Sequence, residues 1–314
     1  MAGTSGTDER AEVRRWLPSF LALSVVWGSS FALIKVGVDA GVSPLWVALW
    51  RCLFGALALS AVCAVQRTRM PRDTATWGHA LVVAALLNAA PFTLFAYGEQ
   101  HVSSVLAGVV NATTPLLTLM FVLILIPGER VTGPRVAGIV LGFAGVLCIL
   151  GVWRGISGGT LVGGLACLGA TTCYGAGFAY TRRFFSGREG SVTALSATQI
   201  ICAAVELALV TAAVGGPPTW PGWSAAVALL VLGVLGTGYA YVLNLQVIRT
   251  AGATIASTVT YVIPIWSTIF GAFLLAEPVG WNTVLGGVLV VAGILATRQP
   301  TRTDRSAQRR QSSQ

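Results

Sequence analysis

Charged residues are scarce in this chain. Only 10% of its 314 residues are Asp, Glu, Lys or Arg, whereas ordinary soluble domains carry about a quarter. The chain is 55% hydrophobic and its mean hydropathy is +0.77. This composition excludes a water-soluble globular fold and indicates that lipid is the main solvent of the protein.

Histidine is nearly absent, with only His79 and His101. The six cysteines show no Cys-x-x-Cys spacing and no neighbouring histidine, so we interpret them as small apolar packing residues. The sequence also lacks a metal-binding helix motif, a phosphate-binding loop and a nucleophile elbow. We therefore expect neither an enzyme nor a metal or cofactor site.

Long apolar runs are abundant. A helix needs about 20 apolar residues to cross a hydrocarbon core about 30 Å thick. Uninterrupted runs such as LLTLMFVLILI exclude a membrane barrel, whose strands alternate apolar and polar residues. The first run lacks a cleavage site and is interpreted as a retained helix rather than a signal peptide. The sequence predicts ten spans, at residues 17–38, 44–65, 77–99, 103–126, 134–151, 159–181, 191–214, 222–248, 253–276 and 280–297.

The positive charges predict the orientation of the chain. If the ten spans alternate from a cytoplasmic N-terminus, the arginines of the loops and tails fall on the cytoplasmic side except Arg154. Positive residues hold short loops in the cytoplasm. We therefore expect a multi-pass protein of the cytoplasmic membrane with both termini inside. A nucleic-acid partner is not expected, because these arginines are scattered over one membrane face with no soluble domain behind them.

An internal repeat organises the chain. Pro115 is followed by Glu129, Gly138 and Gly145, with eight and then six residues between the last three. The second copy consists of Pro264, Glu277, Gly286 and Gly293, and its last three residues have the same spacing. The stretch WGSSFALIK of the first span likewise resembles YGAGFAYTR of the sixth. In an apolar chain, such duplication indicates a transporter built from two related halves.

The number of spans in each half decides how the halves are related. With five spans per half, the second copy enters the membrane from the opposite side and forms an inverted repeat. We predict an all-α membrane protein of ten transmembrane helices, arranged as a 5+5 inverted repeat. Its predicted parts are a cytoplasmic segment at residues 1–16, two five-helix halves at 17–151 and 159–297, and a basic cytoplasmic tail at 298–314.

These features together resemble a known family. Two five-helix halves, each ending in Pro, a loop Glu and two spaced Gly, with WGSSF in the first helix, are similar to the ten-helix EamA type of the drug/metabolite transporter superfamily. The resemblance covers about residues 17–297. It implies a cytoplasmic-membrane carrier whose central cavity is lined by helices one, three, four, six, eight and nine, and which exports amino acids or other small metabolites.

The helices that the resemblance places around the cavity carry uncharged polar and aromatic residues. On span three, Asn88, Phe92, Phe95 and Glu99 recur at helical spacing and share a face. Such groups suit a small amphiphilic or zwitterionic solute, although each can instead bond only to a neighbouring helix. The candidate substrate-binding residues are Trp27, Asn88, Phe95, Asn111, Thr114, Tyr174, Tyr241, Asn244, Tyr261 and Trp266.

Charged residues and prolines within spans form a second group of candidates. Charges inside the bilayer are costly, which makes Arg51, Glu99 and Glu206 candidates for gating or coupling. Glu206, the acid placed well inside a span, is the first candidate for proton coupling. Pro115 and Pro264 each remove a backbone donor and predict helix kinks.

The function predicted is that of a secondary-active transporter. We expect it to move small metabolites such as amino acids, or drug-like solutes, by alternating access, as an exporter. A membrane channel or sensory scaffold without turnover is the alternative. The expected partners are a small-molecule substrate and the lipid bilayer. The sequence leaves the oligomeric state open and is compatible with a monomer.

Overall fold

The computed structural model describes residues 5–125, 133–151, 153, 158–185, 188–244, 246–247, 250 and 259–297. These residues form helices joined by short turns, and no strand occurs among them. The predicted all-α membrane fold is confirmed.

Ten helices follow one another along the described residues. Seven of them are long and apolar enough to cross a membrane, and α5, α9 and α10 contain shorter apolar stretches. Their bounds are α1 Ser5–Asp39, α2 Pro44–Val65, α3 Thr74–Glu99, α4 in two segments Ser104–Asn111 and Thr114–Leu125, α5 Gly133–Leu150, α6 Gly158–Phe185, α7 Val192–Val214, α8 Trp223–Asn244, α9 Val259–Leu274 and α10 Trp281–Thr297.

Side-chain caps fix the start of several helices. Asp73, Ser103 and Ser191 precede α3, α4 and α7, and each accepts a hydrogen bond from the backbone N–H three residues later, over 2.8, 3.1 and 3.1 Å. These bonds satisfy backbone donors that a helix leaves unpaired in its first turn. These caps explain where α3, α4 and α7 begin.

The helices are irregular near the centre of the bundle. A π-helical segment interrupts α3 at Ala85–Ala89, and another interrupts α8 at Val234–Tyr239. Helices α3 and α8 are the third members of the two halves, so the irregularity recurs in the repeat. A turn at residues 112–113 divides α4 just before Pro115, while α9 continues through Pro264. Such interruptions free backbone groups and are tolerated at membrane depth where protein or a cavity satisfies them.

The helix contacts obey a two-fold relation between the halves. Helix α1 packs on α8 and α9, and its counterpart α6 packs on α3 and α4. The pairs α2 with α7, and α5 with α10, join equivalent helices directly. Because each half has an odd number of helices, this arrangement is the inverted repeat that the sequence predicts.

Candidate functional site

A central cavity of about 250 Å³ lies between the two halves. Helices α1, α2, α3, α4, α6, α7, α8 and α9 all contribute to its wall. The lining residues are Trp27, Ser30, Phe31, Ile34, Arg51, Leu87, Phe92, Phe95, Asn111, Thr114, Tyr174, Phe178, Thr181, Gln199, Gly236, Tyr241, Asn244, Thr260 and Ile263.

Aromatic rings form one wall of the cavity. Phe31 and Phe95 meet edge to face with ring centroids 5.3 Å apart, and Tyr174 lies 5.9 Å from Phe95. These rings come from α1, α3 and α6, so they connect the two halves across the cavity. The wall offers an apolar surface of fixed shape to a bound solute.

Arg51 is the charged residue of the lining. Its guanidinium carbon lies 3.7 Å from the centroid of the Phe92 ring, and its Nε donates to the Thr237 hydroxyl over 3.1 Å. The residue is only 7% exposed. No carboxylate of the described residues pairs with this guanidinium. The structure therefore places a buried positive charge at the cavity and leaves it without a negative partner there.

A network of three polar side chains lies beside Arg51. The Gln199 amide nitrogen donates to Asn88 Oδ1 over 2.6 Å and to the Tyr241 hydroxyl over 3.4 Å, and the Asn88 amide donates to that hydroxyl over 3.2 Å. Gln199 and Tyr241 line the cavity, whereas Asn88 is fully buried behind them. The predicted residue Asn88 thus supports the cavity wall rather than facing the cavity.

The break in α4 places two further polar residues in the lining. Pro115 has no N–H to donate to the Asn111 carbonyl, and the Thr114 hydroxyl bonds to that carbonyl instead, over 2.8 Å. Asn111 and Thr114 both face the cavity. The predicted kink at Pro115 takes the form of a turn between two helical segments, with Pro115 in the first turn of the second segment.

The remaining predicted binding residues divide into three cases. Trp27, Phe95, Tyr174, Tyr241 and Asn244 line the cavity together with Asn111 and Thr114. Trp266 lies outside the lining, and its indole N–H donates to the Ser24 hydroxyl of α1 over 2.9 Å. The side chain of Tyr261 falls outside the described part of the structure.

The two predicted acidic residues lie away from the lining. Glu99 is fully buried at the end of α3. Glu206 is partly buried in α7, and its Oε2 atom has no hydrogen-bond partner among the described residues. Of the three gating or coupling candidates, the structure therefore places only Arg51 at the cavity.

Sequence reasoning did not select Gln199, Ser30, Phe178 or Thr181, although all four line the cavity. A signal for Gln199 was present in the sequence. It is the one side-chain amide in the apolar helix α7, and in the repeat it corresponds to Arg51 of α2. No group of three His, Cys, Asp or Glu residues suited to a metal ion occurs in the described residues.

The fold and cavity define a polytopic membrane transporter. The profile of the EamA-like transporter family matches residues 14–151 and again residues 161–298. The chain therefore belongs to the EamA-like transporter family, whose members are not enzymes.

Curated relatives agree with this family, and a solved structure has the same fold. An uncharacterized transporter of Bacillus subtilis, YoaV, is 24% identical over 277 residues, which cover 87% of this chain and 93% of the relative. An uncharacterized inner membrane transporter of Escherichia coli, YedA, is 28% identical over 295 residues, covering 90% and 92%. A solved crystal structure with 19% identity and a TM-score of 0.63 covers 90% of this chain and 96% of its own, and it shows the shared fold alone.

Proposed function

We propose that this protein is a secondary carrier for small organic solutes that bear a carboxylate group, such as amino acids, and that it works by alternating access. The observation that carries the proposal is the buried Arg51 guanidinium at the cavity, unpaired with any carboxylate of the described residues. The Thr237 hydroxyl and the Phe92 ring are its neutral contacts.

The energetics favour a negatively charged ligand group at this position. Removing a cation from water is costly, and the cost is offset only when an opposite charge and hydrogen bonds replace the water. Thr237 occupies one donor of the guanidinium. A substrate carboxylate supplies the missing charge, and an arginine can bind it through two parallel hydrogen bonds.

The rest of the cavity limits the size and character of the solute. Its volume of about 250 Å³ lies below the roughly 300–1,000 Å³ of sites for drug-sized ligands. The lining combines aromatic rings with amide and hydroxyl groups, which suits a solute that has both an apolar and a polar part. An amino acid with an apolar side chain has this character.

The two-fold arrangement of the halves supports the proposal of alternating access. An inverted repeat has two nearly equivalent packings, which open the same central site to opposite sides of the membrane. We propose a cytoplasmic-membrane location with both termini inside, which the charge distribution supports. The sequence resemblance implies export. The substrate and ion gradients in the cell determine the direction of net transport.

Ligand-induced stabilisation tests the substrate class. Purified protein is melted with L-phenylalanine, 3-phenylpropionate, phenylalaninamide or phenethylamine. A ligand at 100 times its Kd stabilises the folded form by about 2.7 kcal/mol. We expect the two carboxylates to raise the Tm of the wild type, and Arg51→Gln to remove the shift. Arg69→Gln, in the exposed α2–α3 loop, is the matched control and keeps it.

Two results contradict the carboxylate assignment: equal stabilisation by the amine and the carboxylates, or a full shift in Arg51→Gln. Turnover is tested separately in proteoliposomes loaded with unlabelled L-phenylalanine. A carrier exchanges labelled external for internal substrate and accumulates the label transiently, whereas a channel gives no such counterflow.

A further inference from the structure

A fully buried carboxyl group lies at the membrane face opposite the N-terminus. Glu99 ends α3, its exposed fraction is 0%, and neither of its carboxylate oxygens has a hydrogen-bond partner among the described residues. An ionised carboxylate in such a place loses its hydration and gains no hydrogen bond in return. The neutral, protonated form of Glu99 fits this environment.

The neighbouring acid Glu277 differs from Glu99 because its carboxyl oxygens are hydrogen-bonded. Its oxygens accept hydrogen bonds from the N–H and hydroxyl of Ser104, each over 2.8 Å, and from the N–H of Val105 over 3.0 Å. These donors lie at the start of α4, where the helix dipole also favours negative charge. Glu99 has none of these donors and is close enough to Glu277 to interact with it electrostatically. The absence of such donors favours the neutral form of Glu99.

Lys35, which is bonded to the main chain of Glu99, does not neutralise the Glu99 carboxyl group. Lys35 Nζ donates to the backbone carbonyl of Glu99 over 2.8 Å and pairs with Asp39 over 3.1 Å. Its ammonium group is thus bound to the main chain of Glu99 and to another acid. Among the described residues, the charged and titratable groups around Glu99 are Lys35 and Asp39 of α1, Arg51 of α2, Cys167 of α6, and Glu277 of the α9–α10 connection.

We propose that Glu99 is the proton-binding site of the carrier, and that the proton moves in the same direction as the substrate carboxylate. The second part rests on the proposed function, because it requires the substrate carboxylate to bind at Arg51. The Arg51 guanidinium lies over the ring of Phe92, which is seven residues, or about 10 Å, before Glu99 along α3. At this distance two buried charges act on each other more strongly than they would in water. An ionised Glu99 competes for the positive charge of Arg51 and repels an incoming carboxylate.

Protonation of Glu99 therefore strengthens carboxylate binding, and by linkage the bound carboxylate strengthens proton binding by the same factor. Positive coupling of this sign gives symport. Competition between the two ligands, which antiport requires, is not what this arrangement supplies. An outward substrate gradient consequently drives export and carries protons out with the carboxylate. A sufficiently large inward proton gradient reverses the flux and drives uptake.

Infrared spectroscopy tests the proton site without any substrate. A protonated carboxyl group has a carbonyl-stretch band that is separate from those of carboxylates. Spectra of the ligand-free protein are compared between acid and alkaline pH for the wild type, Glu99→Gln, Glu206→Gln and the exposed-acid control Asp73→Asn. We expect the band of a buried protonated carboxyl group in the wild type and in Asp73→Asn, and its loss in Glu99→Gln.

Three infrared outcomes overturn the proton site: no such band in the wild type, an unchanged band in Glu99→Gln, or loss of the band in Glu206→Gln instead. The amide of Glu99→Gln resembles a protonated carboxyl group in shape and charge, so this variant is expected to fold. A Glu99→Gln protein that does not fold also contradicts the proposal.

Flux in proteoliposomes tests the coupling. With an inward proton gradient, the wild type accumulates labelled L-phenylalanine above equilibrium, whereas Glu99→Gln reaches only equal concentrations on both sides but keeps counterflow exchange. Accumulation by Glu99→Gln at the wild-type level overturns the coupling, and so does accumulation by the wild type only under an outward gradient. If the wild type does not transport phenylalanine at all, the substrate proposal and the coupling fail together, while the infrared result still decides the proton site.

Discussion

Gly145 of α5 and Gly286 of α10 pack backbone against backbone. A Cβ atom added to Gly286 would lie 2.6 Å from the Gly145 carbonyl oxygen, and one added to Gly145 would lie 2.7 Å from the Gly286 carbonyl oxygen. Gly293 meets the carbonyl of Gly138 in the same way, at 2.6 Å. Gly138 and Gly286 occupy equivalent positions in the repeat, as do Gly145 and Gly293. The two contacts are therefore two-fold copies of each other and place the axis relating the halves between α5 and α10.

Replacing Gly286 with alanine is expected to destabilise the protein by about 1–3 kcal/mol, because the added methyl group meets backbone atoms that cannot move aside. Thermal unfolding in detergent measures the change. Gly78→Ala is the matched control, since nothing lies within 4 Å of a Cβ atom at Gly78 of α3. Alanine there favours the helix by about 0.5–1 kcal/mol. Equal Tm values for the two variants would show that this backbone contact is not tight.

Glu277 links the second half of the chain to the start of α4 in the first half. Glu277→Ala removes the acceptors of the Ser104 hydroxyl and of two backbone N–H groups. Leaving buried donors unpaired costs about 1–3 kcal/mol, so we expect a marked fall in Tm. Ser103→Ala removes only the local cap of the same helix and is expected to cost about 1 kcal/mol. A Glu277 variant as stable as the Ser103 variant contradicts the role of this link.

The helices and the repeat can be predicted from the sequence because both produce recognisable patterns of residues along the chain. Apolar runs of the required length mark the helices, and the predicted bounds of 44–65 coincide with those of α2. The spaced Pro, Glu and Gly residues mark the repeat because they make contacts that other side chains cannot make. Gly145 and Gly286 illustrate this, since any larger residue would force α5 and α10 apart.

The sequence predicts less well which individual residues line the cavity. The prediction for α3 assumed regular helical spacing from Asn88 to Glu99, but a π-helical segment at Ala85–Ala89 changes the spacing there and leaves Asn88 behind the lining. Glu99 is seven residues beyond Phe92, or about 10 Å further along the axis at 1.5 Å per residue, and the cavity does not extend that far. Whether a residue of such a helix lines the cavity or is buried behind its wall depends on tertiary packing.

Arg51→Lys separates the charge of Arg51 from its shape. A lysine keeps the positive charge but loses the planar group over the Phe92 ring and the donor to Thr237. We expect the Kd for L-phenylalanine to rise about 10-fold, equivalent to about 1.4 kcal/mol, and to lie between those of the wild type and Arg51→Gln. Titration by isothermal calorimetry measures it. Unchanged affinity in the lysine variant would show that charge alone is recognised.

Asn88 and Asn244 are two asparagines for which the structure supports opposite expectations. Asn88 is fully buried and bonded to Gln199 and Tyr241, whereas Asn244 lines the cavity and has no hydrogen bond to its side chain among the described residues. Asn88→Ala removes the acceptor of the Gln199 amide. The loss of stability is therefore expected to be about 1–3 kcal/mol.

Asn244→Ala leaves no buried partner unpaired among the described residues, so we expect its Tm without ligand to stay near that of the wild type. If the Asn244 amide contacts the substrate, the Kd for L-phenylalanine rises about 3–10-fold, in line with a hydrogen bond worth about 0.5–1.5 kcal/mol. Melting curves without ligand and binding titrations on both variants distinguish the two roles. A stable Asn88→Ala protein would mean that the network does not support the wall. Normal affinity in Asn244→Ala would remove that residue from the binding site, because a lining position matters for affinity only when the substrate touches it.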